Sequence, residues 1–422
     1  MCNEMRSSGG NGSSRSSHSN RGADLHRAAG QHICIVTETY PPEVNGVALT
    51  LEHLVKGLIA QGYSVSVVRP HQAAADSGRS LYDCEVTLVG GMPLPGYDGL
   101  QFGLPAGRVL RRAWRKSPPD VVYVATEGPL GWSAVRIARC LGIPIVSGFH
   151  TNYHTYSLHY HLGLIENLVF RYLRRFHNRT ACTLVANSDL RERLCTWGFN
   201  NVNVLDRGVD NKVFSPEHRS RELRREWGVS DDEVAVLYVG RLAPEKNINL
   251  AISTYRAMKR LRASVKFVLV GDGPSRAALQ NENPDLVFAG MRKGEQLARH
   301  YASADLFLFP SETETFGNVT LEAMASGLGV VAYDYAAAKV HIKDGETGMS
   351  VPYGDQERFI ESAVRLARES QFLAIVRRRA REHIKAYDWP RVVERFENLL
   401  WSAQVRNSSS SNSPLAREGL AL

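Results

Sequence analysis

The chain alternates short, unbroken apolar runs with longer amphipathic ones, and the alternation occurs twice. Residues 33–36 are apolar throughout, and a polar loop over 37–46 follows. Across 47–60 the apolar positions fall at Leu51, Leu54, Val55, Leu58 and Ile59, the spacing of one helical face, and Gly62 stops the run. Further apolar runs at 65–68, 121–124, 143–147 and 183–185 predict buried strands, with helical stretches between most of them. Pro144 disturbs the third of these, because proline suits the first residues of a strand and not its middle. The pattern restarts with a strand at 234–239, Gly240 and a helix near 250–261, then strands at 265–270, 286–288, 306–309 and 330–333. Such strands alternating with helices imply parallel sheets covered on both faces.

At 422 residues the chain is too long for one core of ordinary size. The fold class expected is α/β, two doubly wound (Rossmann-like) parallel-sheet domains in tandem, with ligands in the cleft at the carboxyl ends of both sheets. The stretch 206–217, carrying Gly208 and Pro216 and followed by the Arg- and Glu-rich 219–225, separates the two series. The expected organisation is a disordered tail over 1–30, a first domain over 31–206 and a linker over 207–217. A second domain over 218–386 follows, then a C-terminal helix over 387–402 packing back on the first domain, and a Ser/Asn-rich tail over 403–422.

Composition narrows the class. Hydrophobic residues make up 43% and charged ones 22%, which describes a globular chain. No apolar stretch reaches the roughly 18 residues that span a bilayer, and the Ser-, Gly-, Asn- and Arg-rich start lacks the apolar core of a secretory signal. Six cysteines without paired spacing suit a reducing cytoplasm. The net charge of +8 is partly clustered, at Arg108, Arg111, Arg112, Arg115 and Lys116, at Arg171, Arg174, Arg175 and Arg179, and at Arg377, Arg378, Arg379 and Arg381. No nucleic-acid motif accompanies these clusters, so no nucleic-acid partner is expected. Solvated helix faces, or contact with an anionic membrane surface, remain as readings.

The strongest chemical signal is Pro310-Ser311-Glu312-Thr313-Glu314-Thr315-Phe316-Gly317-Asn318-Val319-Thr320-Leu321-Glu322-Ala323, which runs from a buried strand through a glycine loop into a helix. The backbone N–H groups of Phe316, Gly317, Asn318 and Val319 fall at the helix N-terminus, an anion site suited to a diphosphate. Glu314 and Glu322 flank it as acceptors for hydroxyls. Taken singly, either glutamate reads as structural; the string as a whole does not. It resembles the paired-glutamate motif of glycosyltransferase family 4, retaining enzymes of the GT-B fold, and other pieces resemble the family in order from about Gln31 to Trp401. Gly240-Arg241-Leu242-Ala243-Pro244-Glu245-Lys246-Asn247 is similar to its diphosphate clamp, in which Arg241 supplies a fork of donors and Lys246 a point charge. Gly271-Asp272-Gly273-Pro274 is similar to a turn near the nucleotide. Arg276 stands where a dinucleotide fingerprint needs its third glycine, which excludes a dehydrogenase. Pro41-Pro42-Glu43-Val44-Asn45-Gly46 resembles the loop whose glycine approaches the donor phosphates. Ser147-Gly148-Phe149-His150-Thr151-Asn152-Tyr153 resembles the active-site histidine segment, which implies that His150 contacts the donor sugar. Arg207-Gly208-Val209-Asp210 resembles the interdomain turn.

His150, His154, His159 and His161 raise a zinc site, but no glutamate lies between the first two as in a helical zinc motif, and no Asp-x-Asp ends a strand. No metal and no cofactor are expected. One segment departs from the family: where many members carry Gly-Gly-x-x-Glu near the donor, this chain reads Tyr335-Ala336-Ala337-Ala338-Lys339-Val340-His341, without the acidic residue. The resemblance implies catalysis by stabilising the departing diphosphate with Arg241, Lys246 and the helix N-terminus, Glu314 and His150 orienting the sugar, Glu322 holding the ribose and no protein nucleophile. The first loop is most similar to GDP-mannose-dependent α-mannosyltransferases acting on lipids; sulfoquinovosyl and other hexosyl transferases using UDP-sugars are rivals. The partners implied are a nucleotide diphosphate sugar and a lipid-linked or saccharide acceptor, with the protein on the inner face of the cell membrane. A nucleotide-sugar epimerase or hydrolase would need a second carboxylate pair, which the sequence does not offer. A binding protein would not need Glu314, Glu322, Arg241 and Lys246 together.

Overall fold

A computed structural model of the protein describes residues 30–43, 45–72, 82, 84–93, 101–150, 163–230, 232–261, 264–314 and 316–411. All but residue 30 of the tail expected at 1–30, and residues 412–422 of the one expected at 403–422, lie outside the described residues, as do Val44, His154, His159, His161 and Thr315.

The first half of the chain supplies β1 (His32–Val36), β2 (Ser64–Pro70), β3 (Glu85–Val89), β4 (Gly91–Pro93), β5 (Gln101–Gly103), β6 (Val121–Val124), β7 (Ile145–Gly148), β8 (Cys182–Val185) and β9 (Val202–Val204). Seven of these form a parallel sheet in the order β3-β2-β1-β6-β7-β8-β9, while β4 and β5 pair antiparallel beside it. The helices of this half are α1 (Gly46–Ala60), α2 (Gly107–Lys116), α3 (Pro129–Leu141), α4 (Gly163–His177) and α5 (Ser188–Thr196). The second half supplies β10 (Val234–Val239), β11 (Val265–Val270), β12 (Val287–Gly290), β13 (Leu306–Phe309), β14 (Gly329–Tyr333) and β15 (Met349–Val351). They form one parallel sheet in the order β12-β11-β10-β13-β14-β15. Its helices are α6 (Arg221–Glu226), α7 (Ile248–Leu261), α8 (Arg276–Glu282), α9 (Gly294–Ser303), α10 (Asn318–Ala325), α11 (Ala336–His341), α12 (Gln356–Arg368) and α13 (Ser370–Ile384). A last helix, α14 (Trp389–Ser411), ends the described chain.

Every strand expected from an apolar run is present. Pro144 lies just before β7, where its missing N–H does not interrupt the ladder. The strands that the apolar pattern does not announce are β3, β9 and β15, edges of their sheets, and the hairpin β4–β5. β3 is largely half-exposed and β9 is three residues long, so neither carries the continuous apolar run of a strand buried on both faces.

Apolar side chains fill both faces of each sheet. α14 lays Val392, Val393, Phe396, Leu400 and Trp401 into the core of the first sheet beside Leu51, Leu54 and Leu58 of α1. The approach is close because position 57 is glycine: a Cβ there would stand 2.4 Å from Cγ2 of Val393. Glu397, buried in that contact, accepts a hydrogen bond from the hydroxyl of Tyr63 at 2.6 Å. The helix continues to Ser411, beyond the end expected at 402.

One of the basic clusters, 377–381, is partly structural, as is the Arg- and Glu-rich stretch 219–225. Asp305, at the start of β13, accepts from Arg219, Arg224 and Arg377 at 2.9, 2.9 and 3.0 Å, and from the backbone of Ala235 at 2.9 Å. Burial works against its charge, but Arg377, Arg219, the Ala235 N–H and Arg224 outweigh that and hold its carboxyl below the usual range. Arg381 binds the Asn211 side chain and the carbonyls of Asn211 and Phe214. Among the described residues, no helix is long and apolar enough to cross a membrane.

Candidate active site in the cleft

In a doubly wound sheet the ligand crevice opens where the strand order reverses, at the carboxyl ends of the two strands flanking that point. In the second sheet those strands are β10 and β13. The two motifs singled out from the sequence follow them directly, Gly240-Arg241 after β10 and the Glu314 loop after β13. Topology therefore brings together segments some 70 residues apart.

Lys246, in the turn after β10, donates to Oε1 of Glu314 at 2.6 Å and to the carbonyl of Thr313 at 3.0 Å. Both side chains are mostly buried, 18% and 16% exposed, so the pair is more than a surface contact. Ser311 donates to the same carboxylate oxygen at 2.8 Å. Asn247, held in the left-handed region at φ 50°, donates to Glu312 at 3.0 Å. Tyr335 donates to the carbonyl of Glu314 at 2.6 Å. The segment that departs from the family pattern thus supports the Glu314 loop from behind. Arg241 is different: it is exposed, and reaches only Glu245 at 3.6 Å.

The α10 N-terminus lies in the same place. Gly317, at φ 87°, turns the chain into the helix, where any L side chain would be strained, and as the N-cap it has no side chain to cap the first N–H groups. Phe316 is buried against His341, while Asn318 and Val319 are partly exposed. Glu322, one turn into α10, accepts from the hydroxyl of Tyr301 at 2.9 Å. Burial raises its carboxyl from the ordinary value to about 7, and that single hydrogen bond recovers only part of the cost. Gly271 packs so tightly beneath the clamp that a Cβ would stand 1.9 Å from the carbonyl oxygen of Gly240. Asp272 is paired with Arg276 at 2.8 Å, the residue that breaks the dinucleotide fingerprint.

The first sheet reverses between β1 and β6. Gly46 opens α1 after Asn45, whose side chain accepts from the N–H groups of Val47 and Ala48; a Cβ at Gly46 would meet nothing within 4 Å, so the protein itself does not demand glycine there. Glu38, after β1, and Glu127, after β6, meet at the same mouth. Burial pushes the Glu38 carboxyl up to about 7, and the charge of Glu127 adds to the effect. His150 stands at the end of β7, and its ring is engaged within the protein: Nδ1 accepts from Arg207 at 3.1 Å, and Nε2 lies 3.1 Å from the hydroxyl of Tyr123. Burial first, then the charge of Arg207, hold its pKa well below the ordinary histidine value. Tyr123, Tyr301 and Glu38 escape sequence reading because each is isolated in the chain, Glu38 alone having a signal, its place at the end of the first strand; Arg207 reads only as part of the interdomain turn. Among the described residues, no cluster of His, Cys, Asp or Glu is arranged to hold a metal.

Two Rossmann-like domains in tandem, the second with Lys246, Glu314 and the α10 N-terminus together at its switch point, are the architecture of the GT-B class of glycosyltransferases. The glycosyl transferases group 1 family matches residues 233–369, and glycosyltransferase family 4 matches residues 44–213. The chain is 35% identical to a GDP-mannose-dependent alpha-mannosyltransferase of Mycobacterium tuberculosis over 86% of its own length and 95% of the relative's. It is 29% identical to the sulfoquinovosyl transferase SQD2 of Arabidopsis thaliana, over 86% of this chain and 71% of that one. Among solved structures, Anabaena Alr3699/HepE in complex with UDP superposes with a TM-score of 0.72 at 18% identity, covering 88% of this chain and all of that one. The chain belongs to glycosyltransferase family 4 and is a hexosyltransferase.

Proposed function

We propose that the protein moves mannose from GDP-mannose, with retention and without a metal, onto a lipid-linked or saccharide acceptor. The observation that carries the donor site is the Lys246–Glu314 pair across the switch point of the second sheet, beside the α10 N-terminus. An ammonium and uncapped N–H groups there would stabilise charge on a departing diphosphate, the main electrostatic demand of a glycosyl transfer. Glu314 would accept hydroxyls of the sugar and Glu322 those of the ribose, and Arg241, free to swing from its exposed contact, would close over the phosphates. Similarity to GDP-mannose-dependent relatives favours GDP-mannose; a UDP-sugar is the second reading, favoured by the likeness to the sulfoquinovosyl transferase.

The acceptor would enter at the mouth of the first sheet, past Glu38 and Glu127. A lipid acceptor suits the outer helices of that sheet. α2 buries Leu110 and Trp114 and exposes Arg108, Val109, Arg111, Arg112, Arg115 and Lys116. α4 exposes Leu168, Val169 and Tyr172 among Arg171, Arg174 and Arg175. Basic side chains with apolar ones between them fit peripheral binding to an anionic membrane. The test is a thermal-shift panel of GDP, UDP and ADP with their hexose conjugates, on the wild type and on Lys246→Ala. A ligand at 100 times its Kd adds about 2.7 kcal/mol to stability. Stabilisation by GDP that Lys246→Ala abolishes supports the assignment, and no response to any nucleotide refutes it.

A further inference from the structure

Arg207 is 5% exposed, yet among the described residues no carboxylate pairs with it; its one hydrogen-bond partner there is Nδ1 of His150. A buried guanidinium without a counter-ion is costly, and burial lowers its own pKa to about 10. Asp206, its chain neighbour, is taken by Arg395 at 2.7 Å. The backbone fixes the arrangement. Gly208 presses on Trp389, which a Cβ would meet at 2.8 Å, and Val209 N–H donates to the carbonyl of Tyr387. On the other side of the ring, Gly148 leaves room for the imidazole to reach Tyr123: a Cβ there would stand 2.2 Å from the Tyr123 hydroxyl and 2.5 Å from Nε2 of His150. Gly208 and Gly148 therefore both serve one ring.

A guanidinium has donors only, so the nitrogen it contacts must be bare. We propose that Arg207 is a positioning residue: it holds His150 as the neutral tautomer with the proton on Nε2, so that the ring meets a donor sugar as a hydrogen-bond donor and neither as acid nor as base. This rests on the reading of the cleft as a nucleotide-sugar site. Without a sugar, Nε2–H donates to the Tyr123 hydroxyl, and a sugar hydroxyl would take that place. The charged and titratable groups facing the ring are Arg207 from the crossover, Tyr123 from β6 and His177 from α4; His177 is itself tied to Ser147 at 2.9 Å and Glu127 at 3.3 Å. All of them discourage a second proton on His150 or are neutral toward it.

The experiment combines histidine ¹⁵N NMR with steady-state kinetics on the wild type, Arg207→Met, Arg207→Lys and Tyr123→Phe. Expected for the wild type is an Nε2–H signal for His150 that does not titrate between about pH 5 and 8, and a kcat without an acid limb from this group. Arg207→Met removes the donor and the charge but not the burial, so the His150 pKa should move up from its wild-type value and the Nδ1–H tautomer should become populated. Its kcat should fall by about 100-fold as the ring loses its position, with KM for the donor and the nucleotide-induced thermal shift nearly unchanged, and its melting temperature should not drop. Arg207→Lys, which keeps charge and donor, should recover part of kcat. A wild-type ring protonated on Nδ1 overturns the proposal, as does an Arg207→Met protein with the wild-type tautomer and pH profile. Should Arg207→Met fail to fold, the wild-type tautomer and the lysine variant still decide it. If no nucleotide sugar binds the wild type, the functional reading fails, while the NMR result on the ring stands apart.

Discussion

Replacing Glu322 with glutamine should make the folded protein more stable and a worse enzyme, and the gain should depend on pH. The carboxyl is raised from 4.5 to about 7 by burial, with one compensating hydrogen bond from Tyr301. A folded-state pKa above the unfolded value means that the native state binds the proton more tightly. The penalty is absent below the unfolded value, grows as pH rises through the interval, and is complete above about 7. At about 1.4 kcal/mol per unit, the shift corresponds to about 3.5 kcal/mol at pH 8. Glutamine keeps an acceptor for Tyr301 and carries no titrating charge, so Glu322→Gln should gain up to that amount over the wild type at pH 8 and almost nothing at pH 5. For a domain of this size the gain is a rise in Tm of roughly 7–14 °C. Differential scanning calorimetry of both proteins at the two pH values measures it. A difference that is the same at pH 5 and pH 8, or a wild type that is the more stable at pH 8, would refute the reasoning. Such a result would mean that the carboxylate is solvated or paired in the native state.

Three further outcomes follow from the same geometry. Because a ribose would donate to the ionised form of Glu322, GDP binding should release a proton and weaken by up to tenfold per unit as pH falls below about 7; calorimetric titration in buffers of different ionisation heat checks this, and pH-independent affinity would contradict it. Gly271→Ala should destabilise by more than about 2 kcal/mol, since its Cβ would stand 1.9 Å from the Gly240 carbonyl and φ is 141°, as urea unfolding can test. Asp305→Ala should cost about 3–5 kcal/mol, because it strands three arginines at once, in contrast to loss of the exposed Arg365–Glu369 contact, worth under about 1 kcal/mol.

The strand series and the donor motifs were legible because parallel strands buried on both faces read as apolar runs, and because the loops at a switch point keep their chemistry in compact strings. What the sequence hides is whatever depends on distance in space. Glu322 looks like an exposed helical glutamate, yet in the fold it is half-buried and accepts from Tyr301. Arg377 reads as solvated charge in a basic cluster and Arg224 as part of the Arg- and Glu-rich stretch at the domain boundary, yet both turn inward to Asp305. The histidine segment pointed to His150 but not to its setting, since Tyr123 and Arg207 lie 27 and 57 residues away. Tyr335 opens the segment that departs from the family pattern, and only the fold reveals that it holds the Glu314 loop.

The most direct test is transfer itself: purified protein, GDP-mannose labelled in the sugar, a bacterial membrane lipid extract and a chelator, with products followed by thin-layer chromatography and the anomeric linkage by NMR. Expected is release of GDP with formation of an α-linked mannolipid that persists in the chelator and is lost in Lys246→Ala. Mannose left on GDP while a UDP-hexose is consumed would contradict the donor, and failure to transfer from any nucleotide diphosphate hexose would contradict the catalytic site.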